Sequence, residues 1–178
     1  MCGLSVRVPA GCSLPYTEID ISAISSRHPV WAFNAYWTQQ ARATGVPCRQ
    51  QINPAEIAGI LSWLLVLEAI SQRTGTEYRY RLAGTGCTEL FGVDYTGKTL
   101  GENLTPEGAE IRRLEFSRVL VTYRPIFSIT HLPIKKREFI TVHRGVFPVS
   151  SSGAEVDQIF VVIAPTATEC ISRSTLAA

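Results

Sequence analysis

Two runs of this chain carry apolar side chains at nearly every position: WLLVLEAI from Trp63 and IFVVIA from Ile159. A strand with one wet face alternates, so a strand that does not alternate needs cover on both faces. A bilayer is not the cover, because no window approaches the roughly 18 to 20 apolar residues a spanning helix needs. Both runs must therefore lie centrally in a sheet packed on both sides. The remaining strand signals are EYRYRLAG, PIFSITHLP and EFITVHRGVFPVS. EYRYRLAG alternates strictly, with Tyr78, Tyr80 and Leu82 on one face and Arg79 and Arg81 on the other. These features predict an α+β domain built on a five-stranded antiparallel sheet. The first and last strands are adjacent and the alternating ones lie toward the edges.

Helical signals supply the cover. Pro29 after His28 is a good first helical residue, and VWAFNAYWTQQARATG puts Val30, Phe33, Trp37 and Ala41 on one stripe, with Trp31 and Tyr36 beside it. Asn53-Pro54 opens a short helix in NPAEIAGILSW. TPEGAEIRRLEFSRVLVTY has helical spacing through Ile111, Leu114 and Arg118 or Val119, with Phe116 and Leu120 adjacent. Short helices and this long one are expected over one sheet face, and the first helix over the other. A turn around Arg73 to Thr76 sets Leu67 opposite Leu82, Ala69 opposite Tyr80 and Glu68 opposite Arg81. Glu68–Arg81 reads as a structural ion pair, with Arg81 as a ligand anchor the lesser reading.

The 178 residues fit one domain, here 28–165, between an arm at 1–27 and a tail at 166–178. A net charge of +2 without clustering gives no nucleic-acid field; Lys135-Lys136-Arg137 reads as a hairpin tip. The five cysteines, Cys2, Cys12, Cys48, Cys87 and Cys170, are odd in number and scattered, which suits free thiols in a cytoplasm. No apolar leader segment is evident. His28, His131 and His143 cluster with no other metal ligand, so no metal site is expected.

The stretch YRLAGTGCTELFGVDYTGK ends a strand in Gly84-Thr85-Gly86, makes a very short helix, and breaks again at Gly92 and Gly97. Short elements laid on a sheet leave a cup between helix and strand. The glycines lack the spacing of a phosphate loop, so a tight strand-to-helix turn is the better reading. Cys87 near a helix start could be a reactive thiol or a small core residue; the core residue is preferred. His143 reads as a hydrogen-bonded strand histidine.

CTELFGVDYTGKTLGENL resembles the PAS-domain pattern, with Phe91-Gly92 and Gly97-Lys98 at its matching positions. Together with HPVWAFNAYW, NPAEIAGILSWLLVLE and YRYRLAGT, it is similar to a bacterial family of stand-alone PAS-like proteins over about residues 28 to 165. The resemblance implies a PAS sheet and helical cup, an N-terminal helix that makes dimer contacts, and a role in sensing or signalling. It implies a pocket among Leu67, Tyr80, Leu82, Phe91, Leu100, Phe116, Val119, Phe127, Ile129, Thr141 and His143. The same side chains could instead fill the core. Dimer contacts would fall to Val30, Trp31, Phe33, Tyr36 and Trp37. Flavin-binding photosensors carry Asn-Cys-Arg-Phe where this chain has KTLGEN, and residues 106–124 lack the histidine of haem-binding relatives, so neither covalent flavin nor haem is expected. The cofactor is left open.

The expectation is a non-enzymatic, cytoplasmic, homodimeric sensor that binds a small ligand or a partner protein. With no kinase, cyclase or DNA-binding segment in the sequence, output is expected through another protein. The rivals are a ligand-free interaction scaffold and a small enzyme using Cys87 or His143.

Overall fold

The computed structural model describes residues 16–42, 45–132 and 140–170. Its sheet has six strands: β1 (Thr17–Glu18), β2 (Leu64–Gln72), β3 (Gly75–Ala83), β4 (Ile126–His131), β5 (Thr141–Ser150) and β6 (Val156–Pro165). The order is β1-β4-β5-β6-β2-β3, with every neighbouring pair antiparallel. As expected, the first long strand and the last are neighbours, and both apolar runs sit inside the sheet. The sixth strand was not anticipated. Thr17 and Glu18 pair with Ile129 and Ser128, inside what reads as a loose arm. Asp20 then caps a 3-10 turn at Ile21–Ala23, and Ile24 is buried. Lys135–Arg137, Cys2 and Cys12 lie outside the described residues.

Three helices flank the sheet: α1 (Pro29–Ala41), α2 (Thr85–Phe91) and α3 (Pro106–Thr122). α1 buries Val30, Phe33, Trp37 and Ala41, the expected stripe, against Phe147, Phe160, Val66 and Val162. Gly145 of β5 makes that approach feasible, since a Cβ there would stand 2.8 Å from Val30 Cγ1. On the opposite face α2 and α3 cover Leu65, Leu67, Tyr80, Val146, Ile159 and Val161. The sheet is thus sandwiched, as its non-alternating strands require.

Four expectations need correction. Asn53–Ile60 forms successive turns rather than a helix. Its bonds run i to i−3, as from Glu56 N to Asn53 O and Ile60 N to Ile57 O, and Gly59 weakens any longer helix. The β2–β3 hairpin turns tightly at Arg73-Thr74, because Gly75 adopts φ 135°. Leu67 therefore faces Tyr80, Glu68 faces Arg79 and Ala69 faces Tyr78. A bulge between Val66 and Leu67 swings Leu82 outward, where it is 43% exposed. The Glu68–Arg81 ion pair persists, reached diagonally. Finally, α3 is rotated from its apolar stripe: Ala109, Glu115, Phe116 and Val119 are buried while Leu114 is 57% exposed.

The edge of β3 is covered. Tyr80 donates its amide to Lys98 O, Gly97 donates to Tyr80 O, and Leu100 donates to Tyr78 O. The Gly97–Leu100 segment so closes an edge that would otherwise invite pairing. The two glycines before α2 serve close packing. A Cβ on Gly84 would stand 2.3 Å from Leu61 O, and one on Gly86 would stand 2.9 Å from Ser62 O. The αL conformation of Gly92, φ 74°, then ends α2.

Candidate ligand cup

Between α2, α3 and the sheet lies a cavity of about 50 Å³. At roughly 10–15 Å³ per water-sized position, it holds three to five heavy atoms. Its floor comes from Leu65, Leu67, Tyr80, Val161 and Ile163; Phe91, Tyr95, Leu104, Arg112 and Phe116 form the cover. Thr130, His131, Leu132 and Arg144 complete it on the β4–β5 side. Sheet parity explains the floor. Val142, Arg144 and Val146 alternate inward along β5, so Arg144 stands among apolar neighbours on the α3 face.

Arg144 is 4% exposed and pairs with Glu115, itself 4% exposed, across the sheet–helix interface. Arg112 Nη1 donates to the same Glu115 Oε2 at 3.3 Å, and Tyr16 OH donates to Oε1 at 3.2 Å. Tyr16 OH also lies 3.2 Å from Glu18, which is paired with Arg118. The Arg144 guanidinium lies 5.5 Å from the Phe116 ring centroid, and that of Arg112 lies 5.4 Å from the Tyr16 ring. Burial alone would raise the Glu115 carboxyl, but Arg144 and Arg112 outweigh it and hold it below the ordinary carboxylate value. Burial pushes the Tyr16 phenol far above its usual range, with Glu115 adding to the shift, so it stays a neutral donor. The Tyr80 phenol is pushed up to about 12, chiefly by burial.

Of the sequence-derived pocket residues, Leu67, Tyr80, Phe91 and Phe116 line the cavity. Leu100 and Val119 are in the surrounding core without lining it. Phe127 packs against Phe147 on the α1 face, and Ile129 shares its strand parity. His143 meets His28 edge-to-face at 4.9 Å, also on that side. Thr141 Oγ1 lies 3.1 Å from His131 Nδ1 at the end of the sheet. Arg112, Arg144, Tyr95, Thr130 and His131 were missed because a search for apolar stripes passes over polar residues. The inward alternation around Arg144 was the available signal. Cys87 is fully buried and its thiol is pushed up to about 12 by that burial, so it carries little thiolate at neutral pH.

Among the described residues no group of three His, Cys, Asp or Glu side chains is placed to hold a metal ion, and no helix is long and apolar enough to cross a membrane. Of the supposed dimer residues, Val30, Phe33 and Trp37 are buried in the chain's own core, so they cannot also meet a second subunit. Tyr36 is half-buried, bonding Gln51 O and Asn53 N through its hydroxyl, and Trp31 is 37% exposed.

No curated protein and no solved structure matched the chain. The family description "PAS domain" matches residues 25–159, a span that runs from the entry to α1 through the start of β6 and takes in the cup except for Val161 and Ile163. An antiparallel sheet with β2 and β6 adjacent, short helices and one long helix over one face, and a family match across most of the sequence agree: this chain belongs to the PAS domain family.

Proposed function

We propose that this PAS domain is a non-catalytic, cytoplasmic regulator whose cup takes a small ligand and whose response passes through a homodimer to a partner protein. PAS domains are in general sensory or regulatory modules. The observation that carries the finer reading is the cavity itself: a small space bounded by α3 and flanked by the buried Glu115–Arg144 contact that joins α3 to the sheet. A ligand there changes the packing of α3 on β5 and shifts the balance between two arrangements of that contact. The residues facing the cavity on α3 are Arg112 and Phe116, and the reading assigns neither haem nor covalent flavin to the cup. Trp31, exposed on α1, is the dimer contact this reading retains.

Ligand-detected NMR of the full chain against small organic acids, amines and neutral molecules tests the cup. Binding is expected in the wild type and lost in Leu104→Phe, which fills the cavity without altering a charge. A chain that binds nothing, or binds equally when filled, counts against the sensor. Light scattering of Trp31→Glu tests the interface: the dimer reading expects the mass to halve. The ligand-free scaffold is the second reading, favoured by the small cavity volume and by exposed Leu114, Val121 and Tyr123 around α3.

A further inference from the structure

We propose that the cup is an anion site, selective for a small planar carboxylate of acetate size. The inference rests on the sensor reading and names its ligand class. Two guanidiniums, Arg112 and Arg144, border the cavity, and among the described residues the ion pairs of both run to one carboxylate, Glu115. Both bonds converge on the same oxygen, Oε2, while Oε1 accepts from neutral Tyr16. The nearby Glu18–Arg118 pair neutralises itself. Among the described residues one positive charge is therefore left in excess at the cavity wall, where an unbalanced charge is costly and a counter-ion strongly favoured.

A second observation points the same way. The Ser128 hydroxyl is fully buried directly opposite Arg144 in the β4–β5 register and has no hydrogen-bond partner among the described residues. The polar patch around Arg144 is thus short of acceptors as well as of negative charge. The size of the space decides the class. Three to five heavy atoms admit formate or acetate, and exclude a nucleotide or a sugar phosphate. The rigid, planar donor fork of arginine matches a carboxylate edge, while Leu65, Leu67 and Val161 offer an apolar wall to a methyl group.

Titration of the full chain with sodium acetate against sodium chloride at matched ionic strength, followed by NMR of the arginine Nε–Hε signals, tests this. Saturable, acetate-dependent shifts are expected in the wild type. Arg112→Gln keeps the Glu115–Arg144 pair and removes the excess charge, so its apparent Kd should rise roughly tenfold or more. Leu104→Phe should abolish the shifts by occupying the space. Equal shifts with chloride, or an acetate response that survives Leu104→Phe, overturn the proposal and show an adventitious ion only. A neutral molecule that binds the cup when acetate does not overturns the anion assignment and leaves the sensor standing. If neither binds, both readings fall.

Discussion

His28 is fully buried and serves two bonds at once. Its Nδ1 accepts from Val30 N at 3.2 Å, capping α1, and its Nε2–H donates to Pro165 O at 3.1 Å, tying that cap to β6. Only the neutral Nε2–H tautomer can do both. Burial pushes the imidazole down to about 4 from an ordinary 6.5, and adjacent His143 is lowered by burial too. The unfolded chain therefore takes up a proton near pH 6.5 while the folded chain resists until about pH 4. Between those values the unfolded state holds more protons, so stability falls as the pH drops. The His28 share is about 3 kcal/mol, lost across that window. His28→Asn preserves a good N-cap and removes the titration. Urea unfolding between pH 7 and pH 4 should show a markedly flatter profile for that variant. An unchanged slope would assign the acid sensitivity to other groups.

At the scale of elements, α2 is set by what its bordering glycines permit. Gly84 and Gly86 let the helix start press onto Leu61–Trp63, where a Cβ on Gly84 would meet backbone, whereas a Cβ on Gly92 would meet nothing within 4 Å. Gly92→Ala should cost about 1–2 kcal/mol for the left-handed backbone alone. Gly84→Ala should cost more, because backbone cannot move aside as a side chain can. Denaturant midpoints of the two variants check the order, and a Gly84→Ala protein as stable as Gly92→Ala would contradict it. This also shows what the sequence made legible. The long strands, the central apolar runs, the proline-marked starts of α1 and α3 and the two-faced cover could be read from period and punctuation, whereas the same signal at Asn53-Pro54 marked only turns. The Leu82 face could not, since one bulge residue reverses parity and no composition marks it. The rotation of α3 was hidden because Glu115 and Arg112 lie where an apolar count expects solvent; partners distant in sequence, Arg144 on β5 and Tyr16 before β1, help make that burial tolerable.

For the whole molecule, the sheet separates two compartments with different tasks. α1 packs by aromatic contacts such as Phe33–Phe147 at 4.8 Å, and it belongs to the fold as much as any strand. The other face holds the cup, where the buried Glu115–Arg144–Arg112 cluster meets the cavity. A signal in this molecule should therefore begin at α3 and reach α1 second, through the strands the two faces share. Hydrogen exchange of the full chain in saturating acetate, compared with equal chloride, measures this directly. The account predicts the strongest slowing through Pro106–Thr122 and around Arg144, a smaller change in Pro29–Ala41, and a weakened response in Arg112→Gln at the same acetate concentration. An unaltered α3, or equal slowing of α1 and α3, would contradict it.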